Sequence, residues 1–125
     1  VLWEAGRALG DLALVARAED AMGSYCAAFD EARYLDREPL ADALGICHGA
    51  AGILAVADAF AVHAGLPPAA ALAERLERHL LERMDQVYEI SASDATLLTG
   101  ASGIVATLLT RRGGSRAWLR TLALR

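Results

Sequence analysis

Cys47 and His48 are neighbours in the run Gly45-Ile46-Cys47-His48-Gly49-Ala50-Ala51-Gly52, at the mouth of a long apolar stretch. A thiolate and an imidazole are two of the ligands that zinc prefers. Adjacent side chains reach one ion only where the backbone is irregular, and Gly45 and Gly49 permit that. Two ligands hold zinc weakly. A catalytic centre takes about three protein ligands and keeps one position open. The other thiol is Cys26, and the other imidazoles are His63 and His79. Read without a metal, Cys47 is a small buried hydrophobe and His48 a capping or hydrogen-bonding residue. Cys26 falls on an apolar helical stripe and reads as core filling. His63 belongs at a helix C-terminus, where its cation meets the dipole, and His79 on the surface of an outer helix. Asp58, inside the apolar stretch, either faces a cavity or pairs with an arginine.

The elements that must position this pair read as helices. Hydrophobic residues make up 55% of the 125 positions, mostly Ala and Leu, which favours packed helices over sheet. The formal net charge of -4 and the absence of a Lys/Arg cluster exclude a nucleic-acid backbone as partner. Two cysteines make no disulfide framework. Val1-Leu2-Trp3-Glu4 lacks the basic start of a secretory signal. The apolar stretch from Gly49 to Ala64 carries Asp58 and His63 and is shorter than the ~20 residues of a membrane span. The expectation is a cytoplasmic protein with no membrane span.

Helical periodicity predicts a first helix to Leu9, closed by Gly10. A second, from Leu12 to Phe29, carries its stripe on Leu12, Val15, Ala18, Met22, Tyr25, Cys26 and Phe29. A polar connection is expected over Asp30 to Ala43. A buried helix from Gly49 to Ala64 is stopped by Gly65. Pro67 and Pro68 suit the first turn of an amphipathic helix to about Asp85, with Leu72, Leu76, Leu80 and Met84 inside. On its wet face Glu74, Arg78 and Glu82 are spaced for ion pairs. A polar loop is expected over Val87 to Ala95, a short apolar helix from Gly100 to about Leu109, and a last helix capped by Ser115 and ending near Arg125.

A second glycine signature, Leu98-Thr99-Gly100-Ala101-Ser102-Gly103-Ile104, repeats the first without its Cys-His pair. Gly52 and Gly103 lie 51 residues apart, and Gly10 and Gly65 lie 55 apart. Periods of this size mark stacked two-helix units, each needing neighbours to cover its apolar face. The expected fold is all-α, a partial α/α toroid: an arc of alternating inner and outer helices. Two and a half units do not close a ring, and the chain opens on Val1. It is therefore read as one domain, residues 1–125, forming an arc of something larger.

Cys47-His48-Gly49-Ala50-Ala51-Gly52-Ile53-Leu54 resembles the Cys-His-Gly motif of the LanC-type lanthionine cyclases, the lanthionine synthetase C-like proteins. Leu97-Leu98-Thr99-Gly100-Ala101-Ser102-Gly103-Ile104 resembles the glycine signature of their last inner helix. Ala5-Gly6-Arg7-Ala8-Leu9-Gly10-Asp11 resembles the helix end after their preceding zinc-ligand motif. The resemblance covers the whole chain and the C-terminal third of such a protein. It implies an α/α toroid with a central Zn2+ held by two cysteines and a histidine, with Cys47 and His48 as two of these ligands. It implies a substrate, a dehydrated precursor peptide, whose cysteine thiol adds to dehydroalanine or dehydrobutyrine to form lanthionine or methyllanthionine. A lanthipeptide dehydratase is the implied partner enzyme. The family's first cysteine, in a Trp-Cys-x-Gly motif, has no match here, and Cys26 does not occupy that motif. Its acid/base histidine and partner acid are unmatched too. Three functions follow: a cyclase portion, a non-catalytic helical scaffold or binding module, and a relative that adds glutathione to dehydrated residues.

Overall fold

A computed structural model describes residues 1–36 and 39–122. Among these residues every regular element is helical. Helix α1 (Leu2–Leu9) ends at Gly10, whose φ of 69° admits glycine most readily. Asp11 then caps α2 (Leu12–Ala28) by accepting a hydrogen bond from the Leu14 N–H at 3.0 Å. The hairpin is tight because Gly6 has no side chain: a Cβ there would meet the Val15 nitrogen at 2.9 Å. Helix α5 (Ala50–Ala59) runs into a π-helical turn, Phe60–Ala64, and stops at Gly65 with φ 65°. Helix α6 (Pro67–Leu81) starts on its two prolines, as expected. Helix α8 (Ala101–Arg111) is followed by a turn at Gly113, φ 92°, and a 3-10 segment, Ala117–Leu122. Ser115 caps that segment through the Ala117 N–H; the expected end near Arg125 lies outside the described residues.

Four readings of the sequence are corrected. The connection Asp30 to Ala43 contains two short helices, α3 (Glu31–Leu35) and α4 (Leu40–Leu44), the first capped by Asp30. Val87 to Ala95 is not a polar loop: α7 (Met84–Ser93) runs through it and buries Val87 and Ile90 at helical spacing. The ion pairs of α6 do not run along the helix through Glu74 and Arg78. Arg75 instead reaches Glu31 of α3 at 2.9 Å, and Glu77 receives Arg111 and Arg112 from α8. Leu12 and Met84 are also exposed rather than on the buried stripe.

Helix α1 packs on α2, α5 on α6 and α8, and α2 lies against α6. Leu44, Leu54, Leu76, Leu80, Val87 and Ile104 are the fully buried large side chains of the core cluster, and Leu119 is fully buried as well. Asp58 is buried on α5, and of the two readings for it the arginine pair holds. Arg111 donates to its Oδ1 at 3.1 Å, and Arg116 makes a short hydrogen bond to its Oδ2. Among the described residues no helix is long and apolar enough to cross a membrane.

Candidate functional site

The two glycine signatures meet in space. The Ile46 and Cys47 N–H groups both donate to the Leu98 carbonyl, at 3.0 and 2.9 Å. The Gly45 N–H donates to Ala41, and the Gly45 carbonyl receives the Gly49 and Gly52 N–H groups. The loop before α5 is therefore held on both sides by backbone hydrogen bonds. Its close packing needs glycine: a Cβ on Gly52 would stand 1.9 Å from the Ile46 carbonyl oxygen. At the equivalent place in the second signature, a Cβ on Gly103 would stand 1.9 Å from the Leu97 oxygen. Gly49 and Gly100 cap α5 and α8 with nearly the same backbone angles, φ -114° and ψ -167° against φ -99° and ψ -174°. The two glycine signatures thus share one loop-to-helix geometry.

This loop holds Cys47 and His48 exposed, on the wall of a cleft of about 640 Å³. Cys47 is not the buried hydrophobe that its size allows. The Cys47 Sγ lies 3.8 Å from the His48 Nε2. A tetrahedral zinc with Zn–S of about 2.3 Å and Zn–N of about 2.1 Å places those two ligand atoms ~3.6 Å apart. The observed separation, itself a sulfur–nitrogen hydrogen-bond contact, is close to that of two such ligand atoms. Among the described residues no group of three His, Cys, Asp or Glu side chains converges as a metal site. Cys26, half-buried against the core, is no third ligand; burial pushes its thiol above the usual value. His63 is exposed at the end of the π-helical turn.

The rest of the cleft is apolar. Met22 and Tyr25 of α2, Tyr34 of α3, Ile53 and Val56 of α5, and Leu98 and Leu122 line it. Tyr25, Phe29 and Tyr34 form one aromatic cluster. The Phe29 and Tyr34 rings stack with centroids 5.3 Å apart, and Tyr25 meets Tyr34 edge-on. Tyr25 is on the apolar stripe that the sequence predicts for α2, whereas Tyr34 lies in the stretch whose sequence predicts a connection. Beside the cleft, the second signature is braced by Asp94. It accepts hydrogen bonds from the Thr96 N–H and the Thr99 hydroxyl, and the Thr96 side chain, the Thr99 side chain and the Thr96 N–H, in that order, hold its carboxyl below the usual value.

His79 is not a surface residue. It is half-buried in a second, polar cleft with Glu31, Asp36, Arg83 and Gln86, and its buried Nε2 has no hydrogen-bond partner among the described residues. Burial, aided by the Arg83 charge and opposed by Glu31 and Glu82, lowers its pKa from the usual 6.5. Between the folded and unfolded values the unfolded chain binds more protons. Stability contributed by neutral His79 is therefore full above about pH 6.5 and falls as the pH drops through it. Urea midpoints at pH 5 and pH 7.5 should differ less in His79→Gln than in the wild type; an unchanged difference would contradict this.

Comparison with family models, with curated proteins and with solved structures gave no match.

Proposed function

We propose that this chain supplies part of the site of a zinc-dependent peptide cyclase. Such an enzyme adds a cysteine thiol across the double bond of dehydroalanine or dehydrobutyrine in the same peptide. A carbon–sulfur bond forms at the β-carbon, the α-carbon gains a proton, and the product is a thioether ring of unchanged mass. The observation that carries the reading is Cys47 Sγ and His48 Nε2 at ligand separation on the wall of an apolar cleft. Zinc, when bound, lowers the pKa of a coordinated thiol and makes the sulfur nucleophilic near neutrality.

The chain's own residues do the rest of the work assigned here. Cys47 and His48 hold the metal from a loop pinned to the Leu98 carbonyl. Met22, Tyr25, Tyr34, Ile53 and Val56 receive the apolar dehydrated side chain and keep water from it. With two ligands at metal separation among the described residues, the isolated chain is expected to bind zinc weakly and to cyclise no peptide. The lack of a third converging ligand among the described residues favours a second reading, a helical scaffold that binds peptide without turnover.

Alkylation kinetics separate the two. In the cyclase reading, zinc slows alkylation of exposed Cys47 and leaves half-buried Cys26 unaffected, and His48→Ala removes the protection. Equal Cys47 rates with and without zinc would favour the scaffold.

A further inference from the structure

At the 51-residue offset of the two glycine signatures, Leu98 stands where Cys47 stands and Thr99 where His48 stands. The places that carry the thiol and the imidazole in the first signature carry hydrogen bonding in the second. The Leu98 carbonyl is the shared acceptor of the Ile46 and Cys47 N–H groups. The Thr99 hydroxyl donates to Asp94 Oδ2 at 2.7 Å, and the Thr96 N–H donates to Asp94 Oδ1 at 2.8 Å. One carboxylate therefore ties both ends of the stretch 96–99 that presents the Leu98 carbonyl. The Ala101 N–H closes on the Asp94 carbonyl at 3.0 Å. A Cβ on Gly100 would strike the Asp94 carboxyl, so glycine admits the brace. The two loops also touch directly. A Cβ on Gly45 would lie 3.2 Å from the Thr99 oxygen and 3.3 Å from the Leu98 oxygen, and one on Gly103 would lie 2.7 Å from Ile46 Cδ1. A shift of residues 96–99 thus reaches Cys47 through its own N–H and through the two residues before it.

We propose that Asp94 is a positioning residue for the Cys47–His48 pair: it fixes the Leu98 carbonyl, and that carbonyl fixes the backbone that presents the thiol and the imidazole. The consequence for metal rests on the reading under Proposed function; the effect on the backbone does not. An acceptor restrains its donors only as far as it is itself held. An ionised carboxylate makes stronger hydrogen bonds than a neutral acceptor, which suits it to hold a loop outside the helices. Without the brace the loop samples more arrangements, the sulfur–nitrogen separation spreads, and metal affinity falls because binding must then order the ligands.

Amide hydrogen exchange and Co2+ titration test the two halves separately. The variants are Asp94→Ala, Asp94→Asn and, as a control that removes the cap of another helix, Asp11→Ala. Circular dichroism checks helix content, and Thr99→Val, which removes the donor to Oδ2, replaces Asp94→Ala if that variant unfolds. The Ile46 and Cys47 amides are expected to exchange about fivefold faster in Asp94→Ala, the scale of a lost cap. The rate is taken relative to the buried Leu76 and Leu80 amides of α6, which report global unfolding. Asp94→Asn keeps an acceptor for the Thr96 N–H and should recover most of the protection, and Asp11→Ala should leave the ratio unchanged. The Co2+ concentration that half-saturates the thiolate absorption should rise about fivefold in Asp94→Ala and follow the same order across the variants. Equal exchange ratios in wild type and Asp94→Ala overturn the proposal, as does an equal rise in Asp11→Ala. Faster exchange with unchanged Co2+ affinity overturns it too, since the pair is then placed without Asp94. Faster exchange with no thiolate absorption in any protein, the wild type included, supports Asp94 as the brace of the Cys47 loop and overturns the metal reading instead.

Discussion

Replacement of Asp58 by alanine is expected to lower the unfolding free energy by about 3 kcal/mol, because it removes the buried carboxylate that two part-buried guanidinium groups share. Arg111 and Arg116 both point at this carboxylate, and their side chains are 21% and 24% exposed. Arg111 retains Glu77 at 3.4 Å, which keeps the loss at the low end of the range for breaking a buried pair. Asp58→Asn keeps the shape and one acceptor oxygen and should cost less. The network ties α5 to α8 and to the segment after it, and through Glu77 to α6. Urea unfolding of the wild type and of both variants measures the difference. A change within ~0.5 kcal/mol for Asp58→Ala, the range of ordinary surface substitutions, would contradict it.

Alanine at Gly52 is expected to be as damaging, by about 3 kcal/mol, for a steric reason. Its Cβ would fall 1.9 Å from the Ile46 oxygen, and the neighbour is backbone, which no rotamer change relieves. The loop carrying Cys47 and His48 must move, so the separation of their side chains changes with stability. Gly103→Ala meets the Leu97 oxygen in the same way and is expected to behave alike. Gly23 is the control. It lies inside α2 with nothing within 4 Å of its Cβ position, so alanine there should stabilise by about 0.5–1 kcal/mol through helix propensity. Thermal and urea denaturation of the three single variants make the comparison. Similar midpoints for Gly52→Ala and Gly23→Ala would refute the close-packing account.

Much of the site was legible in the chain because its determinants are local. Cys47 and His48 are adjacent, and the glycines around them mark a close backbone approach. The second signature 51 residues on marks the same approach again. Helix ends at Gly10 and Gly65, the Asp11 cap and the Pro67 start were visible for the same reason. What was missed depends on partners distant in sequence or on elements too short to show a period. Helices α3 and α4 have five residues each, and Pro39 with its charged neighbours reads as loop. Helix α7 buries only Val87 and Ile90 and is otherwise mostly polar. The cleft wall joins Tyr25 of α2 to Tyr34 of α3, a contact between elements. The choice of Arg111 and Arg116 for Asp58, 53 and 58 residues away, follows from helix packing. Burial of His79 follows from α3, α4 and α7, the elements that sequence periodicity did not reveal.

Cobalt titration monitored by absorption reads the metal pair most directly, since Co2+ replaces Zn2+ and its thiolate bonds absorb in the near ultraviolet. The expected result is a weak, saturable thiolate-to-cobalt band in the wild type, absent in Cys47→Ala and diminished in His48→Ala, while conservative replacement of Cys26 leaves it unchanged. A band that survives Cys47→Ala, or no band at any cobalt concentration, would contradict a metal held by Cys47 and His48.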